Sequence, residues 1–308
     1  MPQELKLLTY DNFSEHPQVL NAITTRKGGV SKGVYHSLNL ALHVGDSYGM
    51  VVRNREILSD DLGIDPKSLT LGEQIHGSNV FIVKEEDKGR GALGLEGAIK
   101  GADSLITNLP NIPLVVLVAD CAAVSLYDPI KKVAAIAHAG WRGASQRIVS
   151  KTTLKMVEDF GSKPSDIIVG VSPAIGPSRL EVGKEVYKEF KKSYGPDVHR
   201  FFAESSLIRH SELACPSEAQ RSRVSESHSD WIPAAAGMTE KGNSEEKYYL
   251  NLWLAIEHQL INTGVLKENI EIMAHCTACD TDNFYSHRAE HGKTGRFAGL
   301  VMIKEQIL

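Results

Sequence analysis

The chain has 308 residues, a formal net charge of -4 and a sequence pI near 6.3, enough length to bury one large core or two small ones. It has no basic tract and no arginine-rich face with interleaved aromatics, which argues against a nucleic-acid partner. No apolar run approaches the ~18 residues a membrane span needs, and four cysteines, Cys121, Cys215, Cys276 and Cys279, are too few for a disulfide scaffold. The opening MPQELKLLTYDNF lacks a secretory pattern, so the expectation is a cytoplasmic protein with reduced thiols.

Residues 1–22 suggest a short β segment and connector. Ile23 to Ser31 follows as a polar loop with paired glycines, in which Arg26 and Lys27 could hold an anion. The spacing over 48–63 predicts a helix that Pro66 ends. Gln74-Ile-His-Gly77 precedes a strand over Val80 to Val83, residues 85–101 suggest a surface loop, and Ala102 to Thr107 is a further strand.

Leu114 to Gly143 is the most informative stretch. Leu114 to Val118 has the length and β-branched content of a buried strand, yet it runs at once into Asp120 and Cys121. Val124 to Tyr127 is a second strand ended by the Asp128-Pro129 turn; Val133 to Ala137 is a third that ends in His138. Gly140 and Gly143 follow, where backbone must bend or approach something closely. Alone, a buried cysteine is usually a small hydrophobe and a strand-end histidine a bonded core residue. Delivered together at neighbouring strand ends, beside Asp120 and Arg142, they suggest a site on stiff supports.

Ala144 to Phe160 is expected to be one amphipathic helix burying Ile148, Val149, Leu154, Met156 and Val157. Ile167 to Val171 suggests a strand, Ser172 to Pro177 a rigid turn and Glu181 to Phe190 a helix. Leu250 to Ile261 is helical in pattern, and Ile270 to Met273 and Phe297 to Ile303 are strands. About 205–246 is rich in Ser, Glu and Arg without periodicity, a composition that cannot offset the entropy of ordering it. It is expected to be a disordered insertion, and Arg223 to Lys241 resembles the product of a mobile palindromic repeat inserted in frame. On that basis His210, Cys215 and His228 carry no chemistry.

Two constellations could bind metal. His76, Cys121 and His138 are donors suited to zinc or copper, and three protein ligands leave a position open for water or substrate. Cys276-x2-Cys279-x7-His287-x3-His291 looks like a zinc clip, but seven residues separate its cysteine pair from its first histidine where a finger needs about twelve. No helix start is evident after the pair to activate it for redox work.

Thr24-Thr-Arg-Lys-Gly-Gly-Val-Ser31, Ser37-Leu-Asn-Leu-Ala-Leu-His-Val-Gly-Asp46, Gln74-Ile-His-Gly77, Ala102-Asp103, Ala119-Asp-Cys121, His138-Ala-Gly-Trp-Arg-Gly143, Pro173-Ala-Ile-Gly-Pro177, Glu181-Val-Gly183 and Thr294-Gly-Arg296 occur in this order. Together they resemble the YfiH-type proteins, also called laccase-domain, purine nucleoside phosphorylase or peptidoglycan-editing factor proteins. The resemblance covers the chain apart from the insertion. It implies a single α+β domain over 1–308, with mixed β-sheets flanked by helices, and a metal on His76, Cys121 and His138, usually zinc. It implies phosphorolysis of adenosine, inosine and methylthioadenosine together with adenosine deamination; muropeptide editing and copper-dependent phenol oxidation are also attached to the family. The chain departs at Leu180, where relatives often carry an aromatic, and at Ala289, where they commonly carry a second basic residue.

The expected roles follow. His76, Cys121 and His138 form the metal and catalytic centre, with Asp120 as an orienter or acid/base. Arg26, Asn39, Arg142 and Arg288 bind the nucleoside or phosphate, Arg because it offers a planar fork of donors. The alternatives are a cysteine hydrolase or amidase with Cys121 as nucleophile and a His base, a copper polyphenol oxidase, and a binding protein without turnover. Multi-copper oxidation needs several centres, which makes it the weaker of these. Small molecules are the expected partners; self-association is left open.

Overall fold

The computed structural model describes residues 4–204 and 247–305. The insertion expected at about 205–246 lies outside them, as do His210, Cys215 and His228. Among the described residues the strands form three sheets. The first runs β1 (Leu7–Leu8), β2 (Val19–Thr24), β14 (Phe297–Ile303), β6 (Leu114–Val118), β3 (Thr70–Leu71). The second runs β13 (Ile270–Ile272), β9 (Ile168–Val171), β7 (Ala122–Asp128), β8 (Val133–Ala139), β5 (Ser104–Thr107), β4 (Val80–Ile82). A small third sheet orders β10 (Glu181–Gly183), β12 (Lys247–Leu250) and β11 (Phe202–Glu204). Parallel and antiparallel pairs occur in both larger sheets, so the fold is the expected α+β arrangement with mixed sheets.

The two larger sheets pack face to face through β6 and β14 on one side and β7 and β8 on the other. The alternation of side chains along each strand then sorts the core. Leu114, Val116 and Val118 enter the layer between the sheets, while Val115 and Leu117 point outward beneath Leu38, Leu40 and Leu58. Burial on both faces explains why β6 is apolar at every position. On β8, Ala134 and Ile136 face the inter-sheet layer; Val133, Ala135, Ala137 and Ala139 face the helices.

The outer faces are covered by helices. Helix α1 (Tyr48–Leu62) covers the first sheet, and its C-terminal Gly63, at φ 65°, closes the last turn. Helices α3 (Ile148–Phe160) and α5 (Leu252–Asn262) lie over the second, the small residues of β8 allowing close approach. The short α2 (Trp141–Ser145) and α4 (Lys184–Tyr194) complete that side.

Three expectations need correction. The helix expected over 144–160 is broken: α2 ends at Ser145 and α3 begins at Ile148, because Arg147 takes a left-handed φ of 60°. Within α3 the helical spacing puts Ile148, Val149, Thr152, Thr153 and Met156 on the buried face and Leu154 on the opposite side, where it is exposed. Glu181 to Gly183, expected within a helix, pairs with Tyr249, Tyr248 and Lys247 as an edge strand. The 85–101 segment is no mere surface loop, since Ala92, Ala98 and Ile99 are buried.

Gly299 marks the closest approach of the sheets. A Cβ there would lie 2.5 Å from that of Ala123 and 3.3 Å from the side chains of Ile136 and Ile23. Gly299→Val is therefore expected to destabilise the protein by about 1–3 kcal/mol, the usual cost of overpacking a core. Urea unfolding measures this; an unchanged midpoint would contradict the packing.

Candidate active site

The site forms where β6, β7 and β8 open at one end of the inter-sheet layer. His138 shares the strand parity of Ala134 and Ile136, so it projects between the sheets. It pairs with Ala123, and the next pair is Ala122 with Ala139. One step beyond, Cys121 and Gly140 face each other: a Cβ on Gly140 would lie 2.7 Å from the Cys121 sulfur and 3.4 Å from the His76 ring. Glycine at 140 keeps open the space that the three donor side chains share.

His76 arrives from a loop. The Gln74 side chain reaches Leu117 on β6, donating to its carbonyl and accepting from its N–H, each at 2.8 Å. His76 itself sits at φ 59°, a conformation uncommon outside glycine. What holds the turn is Asp103, at the head of β5. Its carboxylate accepts from the N–H groups of Ile75 (3.3 Å), His76 (3.0 Å) and Gly77 (2.7 Å), and it meets His138 Nδ1 at 2.9 Å. With Nδ1 so engaged, Nε2 is the His138 nitrogen left for a metal. The two imidazoles lie 4.8 Å apart, centroid to centroid, at 74°.

The electrostatics follow. Burial alone would raise the Asp103 carboxyl, but His138 and the Gly77 and Ile75 N–H groups outweigh it and hold the acid below its ordinary range. Burial likewise opposes ionisation of Cys121, yet His138 and His76 bring the thiol down to about 6. His138 is raised to about 9 against the effect of burial, through Cys121 and Asp103. Without a metal, the pair is biased toward thiolate and imidazolium around neutral pH.

Asp120, at φ 79°, is 8% exposed and commits both carboxylate oxygens: Oδ1 accepts from Thr277 Oγ1 at 2.7 Å and Oδ2 from the Arg288 N–H at 2.6 Å. It ties the 277–288 segment to the strand end that carries Cys121.

A cavity of about 610 Å3 opens over these groups. It brings His76, Cys121, His138, Asp120, Arg142 and Arg288 to one wall system, as the sequence suggests. Arg26 and Asn39, expected to bind substrate, are not on it. Arg26 donates to the carbonyls of His36 and Thr281, pairs with Glu290 at 3.0 Å and lies over the Tyr285 ring, so its Nε and Nη1 are engaged by the protein. Asn39 is fully buried, donating to Ala41 and Asp46 and accepting from the N–H groups of Ala41 and Arg296. It supports the chain behind the cavity wall.

The C-terminal constellation does not assemble. Cys276 has a free thiol that accepts from the Gly176 N–H, so it forms no bridge with Cys279, while His287 faces the cavity. Among the described residues, His76, Cys121 and His138 are the one group of three or more metal-competent side chains whose ligand atoms converge, all within 4.8 Å of one another. One thiolate and two imidazoles suit zinc or copper, Asp103 fixes a ring orientation and Gly140 leaves room, so the residues fit a resident metal.

Comparison with known proteins agrees with this geometry. The family described as multi-copper polyphenol oxidoreductase laccase matches residues 20–215 and 214–304. The chain belongs to this family. It is 30% identical to the purine nucleoside phosphorylase YlmD of Bacillus subtilis (strain 168), over 94% of this chain and 90% of that one. It is 28% identical to adenosine deaminase RL5 of an unknown prokaryotic organism, over 93% and 94%. The crystal structure of the hypothetical protein YfiH of Bacillus licheniformis superposes with a TM-score of 0.81 at 28% identity, covering 98% of this chain and 99% of that one. The chain is an enzyme of the laccase-domain family.

Sequence reasoning missed residues of the cavity wall and, behind it, the buried Asp103. Asp103 and Arg296 stood in recognised motifs, but nothing local gave them a role; the signal available for Asp103 was an acid at the mouth of an apolar strand. His43 and Arg55 also reach the cavity, from the segment before α1 and from α1 itself. No helix among the described residues is long and apolar enough to cross a membrane.

Asp103→Asn is expected to weaken zinc binding by about 10–100-fold, the usual cost of losing a carboxylate behind a metal-ligating histidine. Competition against a chromophoric chelator measures it. An unchanged affinity would remove Asp103 from the metal site.

Proposed function

We propose that the protein is a zinc-dependent purine nucleoside enzyme. It cleaves adenosine, inosine or methylthioadenosine with phosphate to give the free base and the corresponding ribose 1-phosphate, and it also deaminates adenosine. The observation that carries this reading is the convergence of His76, Cys121 and His138 at the wall of a cavity that also presents Arg142, Arg288 and Arg296. The names of the relatives, phosphorylase and deaminase, point the same way.

His76, Cys121 and His138 would hold the ion, Cys121 as thiolate. A zinc ion held by three protein ligands supplies Lewis acidity, polarising a substrate oxygen or activating a water. The protein's own contribution is placement. Asp103 orients His138 and the His76 turn, and Asp120 holds the 277–288 segment that delivers His287 and Arg288. Trp141, Ile175, Leu180 and Leu252 give the cavity an apolar flank suited to a purine face. In phosphorolysis the glycosidic C–N bond breaks, a phosphate oxygen forms the new bond to the sugar carbon, and the departing base nitrogen takes up a proton. In deamination a water oxygen replaces the amino group, which leaves as ammonia.

A second reading rests on the alignment of Cys121, His138 and Asp103, a nucleophile, base and orienter in order. It describes a cysteine hydrolase or amidase acting on muropeptide precursors. Copper-dependent phenol oxidation has less support, because the described residues form one three-ligand centre.

Metal analysis of the purified protein, followed by chromatography of adenosine incubated with and without phosphate, separates these readings. The expected outcome is one zinc per chain and phosphate-dependent release of adenine, with inosine as a second product. Cys121→Ala should abolish zinc binding and lower turnover by roughly 10^2 or more, the scale of losing several kcal/mol of transition-state stabilisation. Metal-free protein that is rapidly alkylated at Cys121 and leaves adenosine untouched would overturn the proposal.

A further inference from the structure

The proposed reaction needs an anion site, and the two arginines that looked most suitable in sequence do not define one. Arg26 is taken up by the protein, and Arg142 stands exposed with its guanidinium over the neighbouring Trp141 ring. Arg288 is also exposed, and its fork donates to the carbonyls of Arg179 and Glu181. The opposite end of the cavity, beneath α1, is built differently.

There Arg55 is 3% exposed and Arg296 is partly buried, and among the described residues neither has a carboxylate within ion-pair distance. Arg55 is fixed in place. Its Nε and Nη2 donate to the Leu40 carbonyl, and its Nη1 to those of Gly91 and Ala92. Neutral carbonyls satisfy its hydrogens but leave its charge uncompensated. Among the described residues, the Arg296 guanidinium is held through Nη1 alone, which donates to the carbonyls of Thr294 and Gly295. Its Nε and Nη2 are therefore the side of the fork open to a ligand. The anion nearest in influence is Cys121, the expected metal ligand, and the carboxylates after it are engaged elsewhere: Asp120 with Thr277 and Arg288, Glu290 with Arg26, Ser286 and Thr294.

His43 completes the group. It is exposed and lines the cavity, yet its pKa is lowered, by desolvation first and then by Arg296, Arg55 and His76. Burial lowers both arginines, Arg55 to about 10. Three basic side chains from separate segments thus meet in one partly desolvated corner beside the metal ligands. A guanidinium deprived of water and of a counter-ion is costly, and an anion at this position would relieve the cost.

We propose that Arg296, with His43 beside it and the fixed charge of Arg55 behind it, forms the subsite for a phosphate dianion. The subsite lies on the α1 side of the metal ligands, across the cavity from the apolar flank of Trp141, Ile175, Leu180 and Leu252. Phosphate and purine base then occupy opposite ends, with the sugar between them near His76, Cys121 and His138. This assignment rests on the phosphorylase reading; Asn39 accepts from the Arg296 backbone N–H at 2.9 Å and so helps position that residue.

The test uses the zinc-loaded full chain and inorganic phosphate. Arg296→Gln should raise the KM for phosphate roughly 10- to 100-fold, the range expected for losing charge-assisted hydrogen bonds, while the KM for adenosine moves less than about threefold. Arg296→Lys, which keeps the charge but not the fork, should fall between. Calorimetric titration with inorganic phosphate alone should show binding to wild type and its loss in Arg296→Gln, a readout that stands even if adenosine is not the substrate. Should Arg296→Gln fail to fold, His43→Gln tests the same corner and should weaken phosphate in the same direction. Unchanged phosphate affinity in the folded variants, or equal weakening of phosphate and adenosine, would overturn the subsite. Phosphate binding without any nucleoside turnover by wild type would retain the subsite and reject the phosphorylase reading.

Discussion

The candidate site depends on one carboxylate. Asp103 accepts three successive backbone N–H groups at 75–77 and meets the His138 ring on the nitrogen away from Cys121. It thereby joins the His76 loop, which Gln74 also ties to β6, to the strand end that carries His138. The His76 turn has a left-handed residue at its centre, which for a side chain larger than glycine's needs support from outside the turn. Asp103, 1% exposed, gives that support where its own charge is stabilised by the groups it organises. Ligand geometry, imidazole orientation and the low thiol pKa all descend from this placement.

The surrounding fold makes such placement possible. Two sheets sharing an apolar layer leave their strand ends in fixed register, so parity along β7 and β8 decides which side chains meet between them. Cys121 and His138 meet because they lie on that inner face at adjoining strand ends, and Gly140 keeps the space between them clear. Both are rigidly held, which favours a preorganised centre over one assembled on substrate binding.

Much of this was legible in the sequence where a single period dominated. The β6, β7, β8 and β14 strands are short apolar runs with turn signals at their ends; Cys121 and His138 follow or end such runs, whereas His76 lies in the polar entrance to a strand. The losses had physical causes. Arg147 breaks a helix without glycine or proline to announce it, and Leu154 falls on the side of α3 opposite Ile148 and Met156. Glu181 to Gly183 is an edge strand whose partner lies more than sixty residues on, a pairing no local pattern encodes. Arg26 and Asn39 were chosen by chemical type. Whether such a side chain faces a ligand or its own protein depends on tertiary partners, here Glu290 and Tyr285 for one and Asp46 and Arg296 for the other. The same ambiguity hid Arg296, which three-dimensional packing leaves with an open fork.

The central claim is that one ion sits among His76, Cys121 and His138. X-ray absorption at the zinc edge of the purified protein tests it most directly. The account predicts a first shell with one sulfur at about 2.3 Å and two imidazole nitrogens at about 2.0–2.1 Å, completed by a single light atom. A shell without sulfur, or with more than one, would contradict it.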